Sequence, residues 1–157
     1  MYRLLANPEY IEPLREEVEA VVAQEGWTKA GMDKMHKIDS FLRETQRMDG
    51  LTLRSLYILP DTSNTDARHC VLVIMPRLAL RPFTFSNGVT IPAGTLVAIP
   101  ASAAHRDEET YPNPEEFDGF RFSNLRERDG DDAATTRHQV ISTSAEQLSF
   151  GLGRHTW

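Results

Sequence analysis

The chain has 157 residues, 40% of them hydrophobic, which suits one ordinary domain and argues against a wholly disordered segment. Acidic residues (23) outnumber Lys and Arg (17), and the resulting formal charge of −6 argues against nucleic acid as a main partner. The single cysteine, Cys70, excludes an internal disulfide and a cysteine-based zinc site, and no run approaches the roughly 20 apolar residues of a membrane helix.

In chain order, residues 8–24 predict a helix. Pro8 suits its first turn, Glu9 and Glu12 suit its positive end, and Ile11, Leu14, Val18 and Val21/Val22 fall at helical spacing. Gly26 closes it. A helical turn follows at 28–33. A second helix spans 35–48, with Met35, Ile38, Phe41, Leu42 and Thr45 as its apolar stripe. Over 51–76, two short apolar runs flank the polar DTSNTDAR, a pattern that predicts a hairpin. Over 78–98 the signal is stronger. Asn87-Gly88 sits between alternating apolar runs, and Pro92-Ala93-Gly94 adds a second turn, giving three short strands. Residues 105–122 read as an ordered Pro-rich, aromatic loop, and 123–139 as a charged surface loop.

Four pieces recur in a fixed order: Glu44-Thr45-Gln46-Arg47, an E-x-x-R on a helix; Gly88 with Ile91-Pro92-Ala93-Gly94-Thr95; Tyr111-Pro112-Asn113-Pro114-Glu115-Glu116-Phe117 leading to Arg121-Phe122; and Phe150-Gly151-Leu152-Gly153-Arg154-His155. Each is weak alone. Together they resemble the C-terminal third of a cytochrome P-450, a haem-thiolate monooxygenase, in the style of fungal enzymes of secondary metabolism. The resemblance covers about residues 1–54 and 73–156. It implies a mainly α fold with a small antiparallel β-sheet (α+β). Residues 1–157 would form a partial domain with an incomplete core: helices at about 8–24 and 35–48, a β hairpin region at about 73–99 and the start of the haem loop at 148–157.

The resemblance also implies chemistry. Family members bind haem through a cysteine thiolate that pushes electron density toward bound oxygen and favours O–O cleavage. They take electrons from a reductase and insert one oxygen atom into an organic substrate. The fungal members are anchored in the endoplasmic-reticulum membrane, by a segment this sequence is expected to lack. Phe150 and Gly153 match the haem loop, so the ligand cysteine falls at position 157. Trp157 stands there, and an indole N–H is a donor with no lone pair for iron. Cys70 sits in an apolar run where its thiol stays protonated. The chain is therefore expected to be truncated and inactive as written, with no metal ligand of its own. A Trp codon followed by a UGA stop would fit reading into an intron at the cysteine codon. The alternative function is a non-catalytic remnant that binds no haem.

Other residues carry two readings. Alone, Glu44 and Arg47 are an exposed i,i+3 pair worth a few tenths of a kcal/mol. With the other motifs, they are a buried structural pair whose third partner is Arg121. Arg77 matches a haem-propionate arginine, or is a strand-end surface residue. His155, two before the ligand position, matches a second propionate contact. Residues at about 55–72 have no counterpart in the family pattern and read as a surface insertion or a translated intron.

Overall fold

The computed structural model describes residues 2–49, 73–130 and 137–153. A short helix α1 (Tyr2–Ala6) and a 3-10 turn (Pro8–Tyr10) lead into α2 (Ile11–Glu25). The apolar positions of α2 are half-buried. Gly26 ends the helix at φ 66°, where its N–H donates to Val22 O, a conformation that costs a side chain-free residue little. After α3 (Lys29–Asp33), α4 runs from His36 to Asp49. Its first turn is capped from outside. Glu17 of α2 accepts from Lys37 N (2.8 Å) and Ile38 N (3.0 Å), satisfying two orphan amides at the positive end of the helix.

Among the described residues the strands form two two-stranded antiparallel sheets. β1 (Val73–Leu78) pairs with β4 (Leu96–Pro100), and β2 (Phe83–Thr84) pairs with β3 (Thr90–Ile91) inside that loop. The Asn-Gly turn reverses the inner hairpin: Gly88 adopts φ 86° and donates to Phe85 O at 2.9 Å. The turn at Pro92–Thr95 then brings β4 back onto β1 instead of extending the inner hairpin. Of the hairpin expected over 51–76, the described part is Val73–Pro76, which belongs to β1 and pairs with β4. The remainder of that hairpin, with Cys70 and the surplus segment 55–72, lies outside the described residues.

α5 (Ala101–His105) follows β4 directly. The stretch read as a charged surface loop begins as a helix, α6 (Arg121–Asp129), and buries Phe122, Ser123 and Arg126. Its polar letters conceal contacts made far away in sequence. Ser40 Oγ of α4 accepts from Phe122 N (3.0 Å) and Ser123 N (3.1 Å), so one helix supplies the N-terminal cap of another.

α4 itself inverts the expected amphipathicity. Phe41 and the preceding Met35 are buried, but Leu42 is exposed, and the other buried residues of the helix are Ser40, Arg43, Glu44 and Arg47. The apolar packing beside it is aromatic. Tyr10, Phe41, Phe117 and Phe120 meet at centroid separations of 4.9–5.9 Å, mostly edge to face. Gly119 lies against this cluster, and a Cβ there would meet Phe41 Cδ2 at 2.7 Å and Tyr10 Cε1 at 2.8 Å. Gly119→Ala is therefore expected to cost about 1–3 kcal/mol by overpacking, read as a lower urea midpoint. An unchanged midpoint would show that the cluster yields freely.

Candidate functional site

The buried polar face of α4 is the site's foundation. Glu44 and Arg47 have side chains with no solvent exposure and form a two-pronged ion pair: Arg47 Nε to Glu44 Oε2 at 2.7 Å and Arg47 Nη2 to Glu44 Oε1 at 2.8 Å. Such a pair repays its desolvation only if the remaining donors and lone pairs are filled. They are. Arg47 Nη1 donates to His105 O (2.6 Å) and Pro114 O (2.7 Å). Glu44 Oε1 also accepts from Asp118 N and from Arg121 Nε, each at 3.2 Å. Arg121 reaches on to Pro112 O (2.6 Å) and Glu116 O (3.0 Å).

Three side chains thus hold the irregular backbone of 105–121, a stretch with few backbone partners of its own. The arrangement suits the sequence there. Two prolines flank Asn113, which takes φ 50°, so carbonyls are presented outward with few amides to meet them. The guanidinium fork supplies the missing donors.

The same helix holds the next segment. Arg43 Nη1 donates to Arg137 O (2.9 Å) and Gln139 O (2.5 Å), and its guanidinium stacks over Phe122 at 4.5 Å. Burial lowers its pKa to about 10, which leaves it charged at neutral pH. Asp39 accepts from Val140 N at 3.0 Å and from Arg126, which also donates to His138 O. Arg43, Arg126 and Asp39 carried no signal in the sequence. Asp39 and Arg43 sit four residues apart, a spacing any solvated helix face shows, and only the distant segments explain why Arg43 and Arg126 are buried and Asp39 half-buried.

Beyond these lies the loop of 144–153. Tyr111 packs under the Arg47 guanidinium (5.2 Å to the ring centroid), and its hydroxyl donates to Glu146 O at 3.0 Å. Burial pushes the Tyr111 phenol up to about 12, so it remains a donor. Leu148 N donates to His105 Nε2 at 3.0 Å. Phe150 is half-buried, and Gly153 is exposed at φ 79°. Position 155 and Trp157 lie outside the described residues.

Arg77 is not part of this framework. It is exposed on β1, and its Nη1 donates to the adjacent Pro76 O at 2.9 Å. It borders a shallow apolar cleft of about 200 Å³ lined by Leu78, Phe83, Phe85 and Val97. Among the described residues, no cluster of three His, Cys, Asp or Glu could hold a metal ion, and no helix is long and apolar enough to cross a membrane.

A mainly α fold with a small antiparallel sheet, and a helix-borne Glu–Arg pair closed by a second arginine, define a recognisable class. A family model described as "Cytochrome P450" matches residues 68–156. The chain is 44% identical over 155 residues to "Cytochrome P450 monooxygenase 103" of Postia placenta. It is 38% identical over 157 residues to "Cytochrome P450 monooxygenase janQ" of Penicillium janthinellum, and 35% identical over 158 residues to "Ent-kaurene oxidase P450-4" of Gibberella fujikuroi. Each match takes in 99% of this chain and 27% of the relative, so the chain spans about a quarter of the length of the curated relatives it matches. The chain belongs to the cytochrome P-450 family. Intact members of that family carry haem.

Two ion pairs at the same helical spacing test what burial does. Glu44→Ala leaves Arg47 charged and enclosed and is expected to cost about 3–5 kcal/mol. Glu12→Ala breaks the exposed pair with Arg15, whose side chains are 57% and 68% exposed, and is expected to cost less than about 0.5 kcal/mol. Equal costs in chemical denaturation would contradict the enclosed reading of Glu44.

Proposed function

We propose that this chain is a segment of a haem-dependent monooxygenase that inserts one oxygen atom into an organic secondary metabolite, using electrons from a reductase. The observation that carries this reading is the Glu44–Arg47–Arg121 framework, because it ties the helix to the segment that precedes the haem-loop motif. Family membership and the fungal relatives support it. In this reading Glu44, Arg47 and Arg121 are structural, and none touches the reacting atoms.

The fit to haem is divided. The apolar cleft beside Arg77, at about 200 Å³, is too small to enclose a haem, but its features match one edge of such a cofactor: Leu78, Phe83 and Phe85 offer hydrophobic contact, and the exposed guanidinium offers a charge-assisted donor for a propionate. Phe150 and Gly153 match the loop that would hold haem in this reading, and His155 the second propionate contact. Position 157 does not suit iron. When bound, haem would supply oxygen activation, which in this family depends on a cysteine thiolate ligand. Trp157 has neither the charge nor the lone pair. The chain as written therefore does not ligate haem iron, and the second reading, a non-catalytic member of the family, rests on that one residue.

Adding haem to the purified chain, reducing it and exposing it to carbon monoxide is expected to give no thiolate-type absorption band. A thiolate-type band would mean that the haem-loop motif has been placed wrongly and that another residue is the ligand.

A further inference from the structure

His105 closes α5 and has no solvent exposure. It joins two systems that the sequence separates by more than forty residues. Its carbonyl oxygen accepts from Arg47 Nη1 at 2.6 Å, and its ring Nε2 accepts from Leu148 N at 3.0 Å. A ring nitrogen that accepts from an amide carries no proton, so the neutral imidazole has its proton on Nδ1. That Nδ1 is buried and faces the Arg47 backbone, short of a fully formed hydrogen bond. An enclosed donor that is poorly satisfied is destabilising, and an apolar side chain of similar volume would avoid it. The imidazole thus needs a reason to be there, and the bond to Leu148 is the well-formed hydrogen bond of its ring.

Leu148 is where that bond matters. Its own carbonyl accepts from Gly151 N at 2.9 Å, which forms the turn that leads into Gly153. Both the amide and the carbonyl of Leu148 are therefore committed, one to His105 and one to the turn. Gln147, just before, is held separately: its N–H donates to Ser144 Oγ at 3.1 Å and its Nε2 to Ser149 Oγ at 2.8 Å.

We propose that His105 is a positioning residue, which fixes the Leu148–Gly153 loop to the Glu44–Arg47 pair through its neutral imidazole. The inference deepens the reading of the chain as a haem-enzyme segment, since this is the loop that reading assigns to haem, but it concerns only the chain's own residues. Burial disfavours the charged imidazole most, a partly formed hydrogen bond to the Arg47 backbone offsets part of that, and the positive charges of Arg47, Arg106 and Arg43 push the same way as burial, so the pKa falls to about 4. The sign follows. Below about pH 6.5 the unfolded chain binds a proton that the folded chain refuses until about pH 4, so stability is lost as the pH falls through that window. Protonation at Nε2 removes the acceptor for Leu148.

The test uses the full 157-residue chain without haem. The ring ¹⁵N shifts of His105 should report a neutral imidazole protonated at Nδ1 at pH 6. The Leu148 amide should be protected from hydrogen exchange at pH 7 and lose that protection toward pH 4. His105→Leu should speed Leu148 exchange by about 2- to 10-fold, the range set by one net hydrogen bond, whereas His105→Gln, which keeps an acceptor, should preserve protection at both pH values. A charged or Nε2-protonated ring at pH 6, an unprotected Leu148 in the native chain, or unchanged protection in His105→Leu would each overturn the proposal. The ring measurement on the native chain stands even if His105→Leu fails to fold. Failure to bind haem would count against the proposed function and leave these results untouched.

Discussion

The structure depends on one guanidinium. Arg47 is enclosed by protein, paired in two places with Glu44, and donates its other face to carbonyls of His105 and Pro114. Enclosing a charge is unfavourable by many kcal/mol unless every partner is in place. The converse is that the partners are held wherever the charge is satisfied. A loop with prolines at 112 and 114 and a left-handed Asn113 has little tendency to hold one conformation by local bonding. Around Arg47 and Arg121 it acquires one.

α4 extends that logic along its length. Asp39, Ser40, Arg43, Glu44 and Arg47 each meet backbone groups of later segments, between His105 and Val140. A helix normally buries an apolar stripe and leaves its charges to water. Here polar side chains are enclosed because the material packed on them is irregular backbone, which brings unpaired amides and carbonyls with it. The aromatic cluster of Tyr10, Phe41, Phe117 and Phe120 supplies the apolar burial on the adjacent side. His105 and Tyr111 then carry the order one step further, to the loop that follows residue 144.

Local rules made much of this visible in the sequence. Helices at 8–24 and 35–48 follow from apolar spacing and from Gly26, and the structure places α2 and α4 within a few residues of them. Asn87-Gly88 marks its turn because the residue pair suits positive φ. The E-x-x-R became informative only beside the other three motifs, for at i,i+3 an exposed pair and an enclosed pair are written identically. What stayed hidden is tertiary. Nothing in HKIDSFLRETQRM distinguishes Leu42, which is exposed, from Arg43, which is not. RFSNLRERD reads as a solvated loop because its helix is capped by Ser40, 82 residues away. β4 pairs with β1 because a nested hairpin returns it there, which the alternation of apolar residues does not encode. His105 gave no signal, since a lone histidine before an arginine matches no ligand spacing.

The central claim is that the forked shape of Arg47, beyond its charge, organises the backbone between α5 and α6. Arg47→Lys isolates shape from charge, because an ammonium keeps the pairing with Glu44 but cannot span two carbonyls and a carboxylate at once. Amide hydrogen exchange followed along the whole chain of this variant is the most direct test. Exchange should accelerate together across residues 105–121, including Gly119 and Asp118 N–H, while α2 keeps its protection. Acceleration confined to residues 44–48, with 105–121 exchanging as in the native chain, would contradict the account.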